Sequence, residues 1–85
     1  IPLPRILHVR YPPQSPTARL GIRQSIALFN WEDERRLIAV SRTRLGHTNP
    51  IRVRNFWTEE EETWSEEFLA KPLDPRSALL YDVLL

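Results

Sequence analysis

The chain has 85 residues, no cysteine and a formal net charge of +1. A chain of this length forms at most one domain, and it buries only a modest share of its surface, so its stability on its own is marginal. Disulfide bonds are excluded, and no apolar run approaches the roughly 20 residues of a membrane-spanning helix.

The charges are unevenly divided along the chain. Residues 1–54 hold ten arginines and three acids, which gives 10 − 3 = +7, whereas residues 55–85 hold two bases and eight acids, which gives 2 − 8 = −6. Arginine supplies eleven of the twelve basic residues. Guanidinium groups bind phosphate and carboxylate in a bidentate manner, so the basic part favours an anionic partner. Mutual neutralisation of the two parts across the fold is the alternative.

The first 18 residues hold five of the eight prolines. Proline lacks an N–H and biases the residue before it towards extended backbone. Residues 1–18 are therefore predicted to form an extended, proline-rich arm, with a short strand at Ile6–Arg10. Residues 19–85 are then a single small domain.

Two apolar runs follow the arm, at residues 22–31 and 35–45, and the acidic segment Glu32-Asp33-Glu34 separates them. Apolar runs around a polar turn predict a β-hairpin. A helix–turn–helix is the competing interpretation, because Leu20, Gln24, Ala27 and Trp31 also fit a helical stripe. The pattern favours a strand over residues 36–45.

The turn-like segment 46–50 leads into Ile51-Arg52-Val53-Arg54, which alternates apolar and charged residues as a half-exposed strand does. If Leu45 pairs with Ile51, Arg44 opposes Arg52 and Arg42 opposes Arg54. Opposed residues share a face of a sheet, so these four arginines are predicted to form one basic, phosphate-facing patch.

The stretch FWTEEEETW at residues 56–64 predicts the start of a helix. Thr58 and Glu61 have the spacing of a capping box, and acids in the first turn suit the positive end of the helix dipole. The helix is predicted to run over residues 58–71 and to end at Pro72. Phe56, Trp57 and Trp64 are its candidate binding aromatics.

A second helix is predicted over residues 75–85, with Asp74 as N-cap and Pro75 at its first position. The segment is apolar nearly all round, so it must be buried in this domain or against a partner. The candidate partner-docking residues are Leu79, Leu80, Val83 and Leu84.

Residues that carry catalysis or bind metals are scarce. His8 and His47 are far apart in the sequence and have no cysteine partner, and the chain has only two glycines, too few for a phosphate-binding loop. The sequence predicts no enzyme, no cofactor and no metal site.

Residues 36–70 resemble a chromodomain. That family has a strand, an acidic stretch, a Thr-Trp pair and then a C-terminal helix. The corresponding segments here, in the same order, are Ile51-Arg52-Val53-Arg54, Glu59 to Glu62, Thr63-Trp64 and Ser65 to Leu69. The resemblance implies a three-stranded sheet packed by a helix, methyl-lysine binding in an aromatic cage through cation–π attraction, and a nuclear location. Asn55 stands where the family has a cage aromatic.

Residues 57–72 are also similar to the first helix of a Myb/SANT domain, which often opens with tryptophan, threonine or serine, and a run of glutamates. Both resemblances imply a chromatin context.

Together these patterns predict an α+β fold: a small antiparallel β-meander followed by two C-terminal helices, preceded by the arm. The predicted function is a non-catalytic binding module in a chromatin or nucleic-acid context, with a basic sheet face that contacts phosphate or a protein. The alternative is a structural subunit of a larger assembly, such as a ribonucleoprotein, an organelle complex or a viral particle, whose arm and leucine-rich C-terminus are buried against neighbours.

Overall fold

The computed structural model describes residues 4–84, and these residues form seven β-strands, one short α-helix and one 3₁₀ helix. The elements in chain order are β1 (Ile6–Arg10), α1 (Pro16–Arg19), β2 (Ile22–Asn30), β3 (Arg36–Ser41), the 3₁₀ helix (Thr43–Leu45), β4 (Ile51–Asn55), β5 (Glu61–Trp64), β6 (Phe68–Leu73) and β7 (Ser77–Leu84).

The strands form two antiparallel sheets. The larger sheet has the order β1-β2-β7-β4-β5, and the smaller one consists of β3 and β6. Side chains from both sheets form one hydrophobic core, whose buried members are Ile26, Leu28, Ile38, Val40, Val53, Trp64, Leu69, Leu73, Tyr81 and Val83. The described chain is therefore a small β-sandwich.

Alternation of side chains explains which face of the larger sheet is buried. In β2 the even-numbered residues Ile26, Leu28 and Asn30 are almost completely buried. Successive side chains of a strand point to opposite faces, so the odd-numbered residues of β2 face away from β3 and β6. Paired residues lie on the same face, so the pairing of the strands shows which residues of β1, β7 and β4 face the core and which face away from it.

The predicted α+β class is wrong, because the acidic stretch forms a β-hairpin and no helix begins at Thr58. The amide oxygen of Asn55 accepts hydrogen bonds from the N–H groups of Trp57 (2.9 Å) and Thr58 (3.1 Å), which is an Asx-turn. Glu59 then adopts a left-handed conformation (φ 62°) that reverses the chain into β5. Residues 61–64 and 68–73 are strands, so the helix that the chromodomain and Myb/SANT resemblances implied here is also not formed.

The second predicted helix, over residues 75–85, is also wrong. Residues 77–84 form β7, the central strand of the larger sheet, which pairs with β2 on one side and β4 on the other. A central strand is buried on one face and half-covered on the other, so it has the nearly continuous apolar sequence that also suits a buried helix. Leu85 lies outside the described residues.

The predicted hairpin over residues 22–45 is wrong in its pairing. The first run, left open between strand and helix, forms β2, and the second is a strand only over Arg36–Ser41, with Thr43–Leu45 in the 3₁₀ helix. β2 pairs with β1 and β7, whereas β3 pairs with β6 in the other sheet. Residues 31–35 therefore connect the two sheets. The strand predicted at Ile6–Arg10 is confirmed as β1, and Pro16 opens α1; residues 1–3 of the arm lie outside the described residues.

The buried amide of Asn30 holds the two connections between the sheets at one end of the sandwich. Its Nδ2 group donates to the carbonyl oxygens of Glu34 (2.8 Å), Leu73 (3.0 Å) and Asp74 (3.0 Å). Its Oδ1 atom accepts from the N–H of Glu32 (3.0 Å). One side chain thus fixes both the β2–β3 connection and the β6–β7 connection.

A small polar cluster lies where β1, β2 and the 3₁₀ helix meet. The amide oxygen of Gln24 accepts hydrogen bonds from Nε2 of His8 (2.7 Å) and Nε2 of His47 (2.9 Å). Burial lowers the pKa of His47, and the neighbouring charges of His8, Arg10 and Arg42 lower it further. The folded chain therefore resists protonation of His47.

Replacing Asn30 is expected to destabilise the fold strongly. The Asn30→Ala variant loses two N–H donors that three carbonyls share, and the bond to Leu73 is the buried one. An unpaired buried group costs about 1–3 kcal/mol, so we expect a loss of about 2 kcal/mol or more in the free energy of unfolding. Urea denaturation measures it. Asn49→Ala is the matched control, since Asn49 is exposed, and equal stability of the two variants would show that the Asn30 bonds contribute little.

Stability is expected to fall as the pH is lowered below the ordinary His47 pKa of 6.5. The unfolded chain binds a proton at this imidazole where the folded chain does not, so the unfolded state gains stability as the pH falls. Urea denaturation between pH 7 and about 5.5 measures this effect above the range in which carboxylates titrate, and a variant of His47 separates it from any contribution of His8. His47→Gln should have a flatter pH profile than the wild-type chain, and identical profiles would contradict the assignment.

Candidate interaction surface

The candidate functional surface is the outer face, by which we mean the side of the larger sheet that points away from β3 and β6. Strand pairing sets which residues lie next to one another on it. The described residues contain no group of three or more histidine, aspartate or glutamate side chains placed to hold a metal ion. No helix within residues 4–84 has the length and apolar character needed to cross a membrane.

An apolar row crosses four strands of the outer face. Leu7 pairs with Ala27, and Ala27 pairs with Leu80. The N–H of Phe56 donates to the carbonyl of Leu80 (2.8 Å), so Phe56 continues the β4 ladder by one residue and alternation places it on the same face. Trp57 packs edge-on against Phe56, with ring centroids 5.9 Å apart. We call these five residues the apolar band.

Three of the five residues of the apolar band are exposed to solvent, and Ala27 and Leu80 are half-buried. Leu7 retains 48% of its surface, Phe56 56% and Trp57 58%. Large aromatic side chains gain most when they are removed from water, so a row of them in solvent is unfavourable for the isolated chain.

A polar row crosses four strands beside the apolar band, from β2 to β5. Its members, in the order of the sheet, are Ser25, Asp82, Arg54 and Glu61, and the apolar Val9 lies next to Ser25 on β1. The Ser25 hydroxyl donates to Oδ1 of Asp82 (2.9 Å), and the Tyr11 hydroxyl donates to Ser25 (3.0 Å). The Glu61 carboxylate also pairs with Arg52. This row gives the outer face a hydrogen-bonded, nearly neutral margin.

On the other side of the apolar band, residues at the end of β2 and the start of β7 line a cleft of about 430 Å³, which we call the aromatic cleft. Its lining residues are Phe29, Asn30, Trp31, Arg76, Ser77 and Ala78. The rings of Phe29 and Trp31 are stacked, with centroids 5.1 Å apart and an interplanar angle of 12°. Oδ1 of Asp33 pairs with the Arg76 guanidinium at 2.8 Å.

The outer face brings together six of the residues that the sequence analysis proposed for binding or docking. Pairing and alternation place Arg52, Arg54, Phe56, Leu80 and Leu84 on this face, and Trp57 packs on Phe56. The other aromatic and aliphatic candidates face the core. Trp64 and Val83 are buried, and Leu79 packs against the same cluster.

The predicted patch of four arginines is not formed. β3 and β4 belong to different sheets, so Arg42 and Arg44 do not oppose Arg54 and Arg52. Arg42 is buried, and its guanidinium donates to the carbonyls of His47 (2.9 Å), Glu66 (3.2 Å) and Ser65 (3.3 Å). Arg42 thus holds the β5–β6 connection in place, as Asn30 holds the two connections at the other end of the sandwich. Arg44 is exposed in the 3₁₀ helix.

Sequence reasoning missed the aromatic cleft. Phe29 and Trp31 are two residues apart, which places them on one face of a strand, and this spacing is visible in the sequence. Arg76 gave no such signal, because it is 45 residues from Trp31 and reaches the cleft only through the pairing of β2 with β7.

Lys71 and Glu62 form a half-buried ion pair between the two sheets. The Lys71 ammonium of the smaller sheet donates to Glu62 of the larger sheet at 3.0 Å. Burial raises the pKa of the neighbouring Tyr81 phenol, which keeps it neutral. The Lys71–Glu62 ion pair therefore helps to join the two sheets.

Comparison with solved structures finds that this chain resembles part of a glycoside hydrolase. Two solved chains of a GH27 β-L-arabinopyranosidase from Geobacillus stearothermophilus, the wild-type enzyme and a variant in complex with arabinose, superpose with a TM-score of 0.67 and 29% sequence identity. The match covers 73% of this chain and 14% of the enzyme chain, so this chain matches a small part of that protein. No family model and no curated protein matches the chain.

Substitution by methionine is expected to destabilise the chain at Arg42 and to have little effect at Arg44. Arg42→Met leaves three carbonyls without a donor and should lower the free energy of unfolding by about 2–4 kcal/mol. Arg44→Met, a change at an exposed residue, should alter it by no more than about 0.5 kcal/mol. Urea denaturation compares the two variants, and a stable Arg42→Met chain would contradict the structural role of Arg42.

Proposed function

We propose that this chain is a non-catalytic β-sandwich domain of a larger protein, and that the apolar band packs against the rest of that protein. The observation that carries the proposal is the uncharged row of Leu7, Ala27, Leu80 and Phe56 across four strands, extended by Trp57. This proposal makes the structural-subunit hypothesis specific by naming the surface that is buried.

The composition of the outer face supports a protein partner. Contiguous exposed apolar patches mark interaction sites, and aromatic residues are enriched at the centres of interfaces, where they contribute most to affinity. Polar residues with satisfied hydrogen bonds form the rims of such interfaces. The apolar band and the neighbouring polar row have this arrangement.

The structural neighbours support a covalently attached partner. In the Geobacillus stearothermophilus enzyme the matching region is 14% of one longer chain, so most of that protein lies outside the matched part. On this proposal the larger protein is a glycoside hydrolase, and the present domain contributes packing surface while catalysis takes place elsewhere.

A nucleic-acid or chromatin role has less support from the geometry and stays a prediction. Arg42 is buried among carbonyl groups, and Arg52 is paired with Glu61. The described surface therefore does not present the four arginines together to a phosphate backbone.

Two measurements test the proposed function. Mass spectrometry of the protein purified from its source should give a mass well above the 10.1 kDa of this chain. Hydroxyl-radical labelling should then modify Phe56 and Trp57 much less in that larger protein than in the isolated chain, because the apolar band is covered.

Phe68 is the internal control for the labelling experiment. It is 60% exposed and belongs to the smaller sheet, on the opposite side of the sandwich. A native mass of 10.1 kDa, or equal labelling of Phe56 in the two samples, would overturn the proposal.

A further inference from the structure

We propose that the aromatic cleft is a binding site for a neutral sugar ring. This inference concerns a ligand site beside the apolar band, and it stands on the geometry of the cleft, whether or not the chain belongs to a larger protein. The cleft has an apolar wall, a neutral pair of charged groups and a fixed backbone, and each matches one requirement of carbohydrate recognition.

The apolar wall is the stacked pair of Phe29 and Trp31. The indole is held in place, because its Nε1–H donates to the carbonyl of Pro4 (2.6 Å) and its ring lies nearly parallel to Phe29. Trp31 nevertheless stays 40% exposed. The C–H groups on one face of a pyranose carry partial positive charge and pack on the electron-rich face of an aromatic ring.

The polar lining residue is Arg76, whose guanidinium pairs with Asp33 just outside the lining of the cleft. Asp33 Oδ1 accepts from Arg76 Nε (2.9 Å) and lies 2.8 Å from Nη2, so the carboxylate offsets the guanidinium charge. A planar donor group beside a carboxylate can donate to and accept from adjacent hydroxyl groups at once. Because the pair has no net charge, it favours a neutral polyhydroxyl ligand over a phosphate or a carboxylate.

The backbone of the cleft is fixed from beneath. Arg76 has a positive φ of 54°, a conformation that costs energy for any residue except glycine, and its N–H donates to the carbonyl of Glu32 (3.2 Å). Asn30 holds both connections from which the cleft is built. Strained backbone that the surrounding structure holds in place is found preferentially at functional sites, and rigid sites lose less entropy on binding.

The size of the cleft also fits a sugar. Its volume of about 430 Å³ lies within the range of about 300–1,000 Å³ that is usual for small-molecule sites. Such sites are mainly apolar with a few placed polar groups, as the lining of this cleft is.

The test is a titration of the 85-residue chain with D-galactose, D-xylose and cellobiose, followed by amide NMR shifts. Each sugar is added up to about 50 mM, because weak single-ring sites have dissociation constants in the millimolar range. At least one sugar should shift the resonances of residues 29–31 and 76–78 in a saturable way. Absence of a saturable shift with all three sugars would overturn the proposal.

Two tryptophan variants test whether the sugar binds in the aromatic cleft. Trp31→Ala should weaken binding at least about tenfold, since it removes a stacking surface. Trp57→Ala removes an exposed tryptophan outside the cleft and should leave the affinity unchanged. Equal effects of the two substitutions would place binding elsewhere and contradict the assignment.

Arg76→Gly separates binding from folding. Glycine adopts positive φ freely, so the variant should unfold at an equal or higher urea concentration than the wild-type chain. It lacks the guanidinium and should bind sugar more weakly. Unchanged sugar affinity would contradict the role of Arg76. The mass spectrometry and hydroxyl-radical labelling that test the proposed function are independent of this result.

Discussion

The buried amide of Asn30 is the interaction on which the rest of the sandwich depends. The two sheets are joined twice at this end, by the β2–β3 and β6–β7 connections, and both connections bond to the same side chain. A buried backbone carbonyl without a donor is costly, so three carbonyls around one amide fix the sheets at a definite separation and register. Arg42 plays the corresponding part at the β5–β6 connection, again through three carbonyls.

The functional surface follows from this constraint. Asn30 lies between Phe29 and Trp31 at the end of β2, and because its own side chain is held in the interior, alternation directs the two aromatic rings to the outer face. The connection that it holds also carries Asp33, which pairs with the Arg76 guanidinium. The residues that stabilise the fold thus position the proposed sugar site, and the apolar band continues from it along the same face.

Local patterns predicted some strands and failed at others for physical reasons. Alternation in Ile51–Arg54 and the extended character of Ile6–Arg10 identify β4 and β1 directly. The spacing of Thr58 and Glu61 satisfies a helix start equally well, and the Asx-turn made by Asn55 outcompetes it. β7 has an apolar sequence that suits a buried helix or a central strand, and only its pairing with β2 and β4, distant in sequence, decides between them. The sequence is enough to propose Phe56 and Leu80 as contact residues. It does not show that they are neighbours, because that depends on the pairing of β4 with β7.

The most direct test of this account is an NMR measurement of hydrogen exchange at the Asn30 side-chain amide, in the 85-residue chain at neutral pH. If Nδ2 donates to the carbonyls of Glu34, Leu73 and Asp74, its protons should exchange as slowly as the backbone amides of the core strands, because both open only on global unfolding. The exposed amide of Asn49 provides the free-exchange reference. Exchange of Asn30 as fast as that of Asn49 would contradict the arrangement of the two sheets and, with it, the position of the outer face.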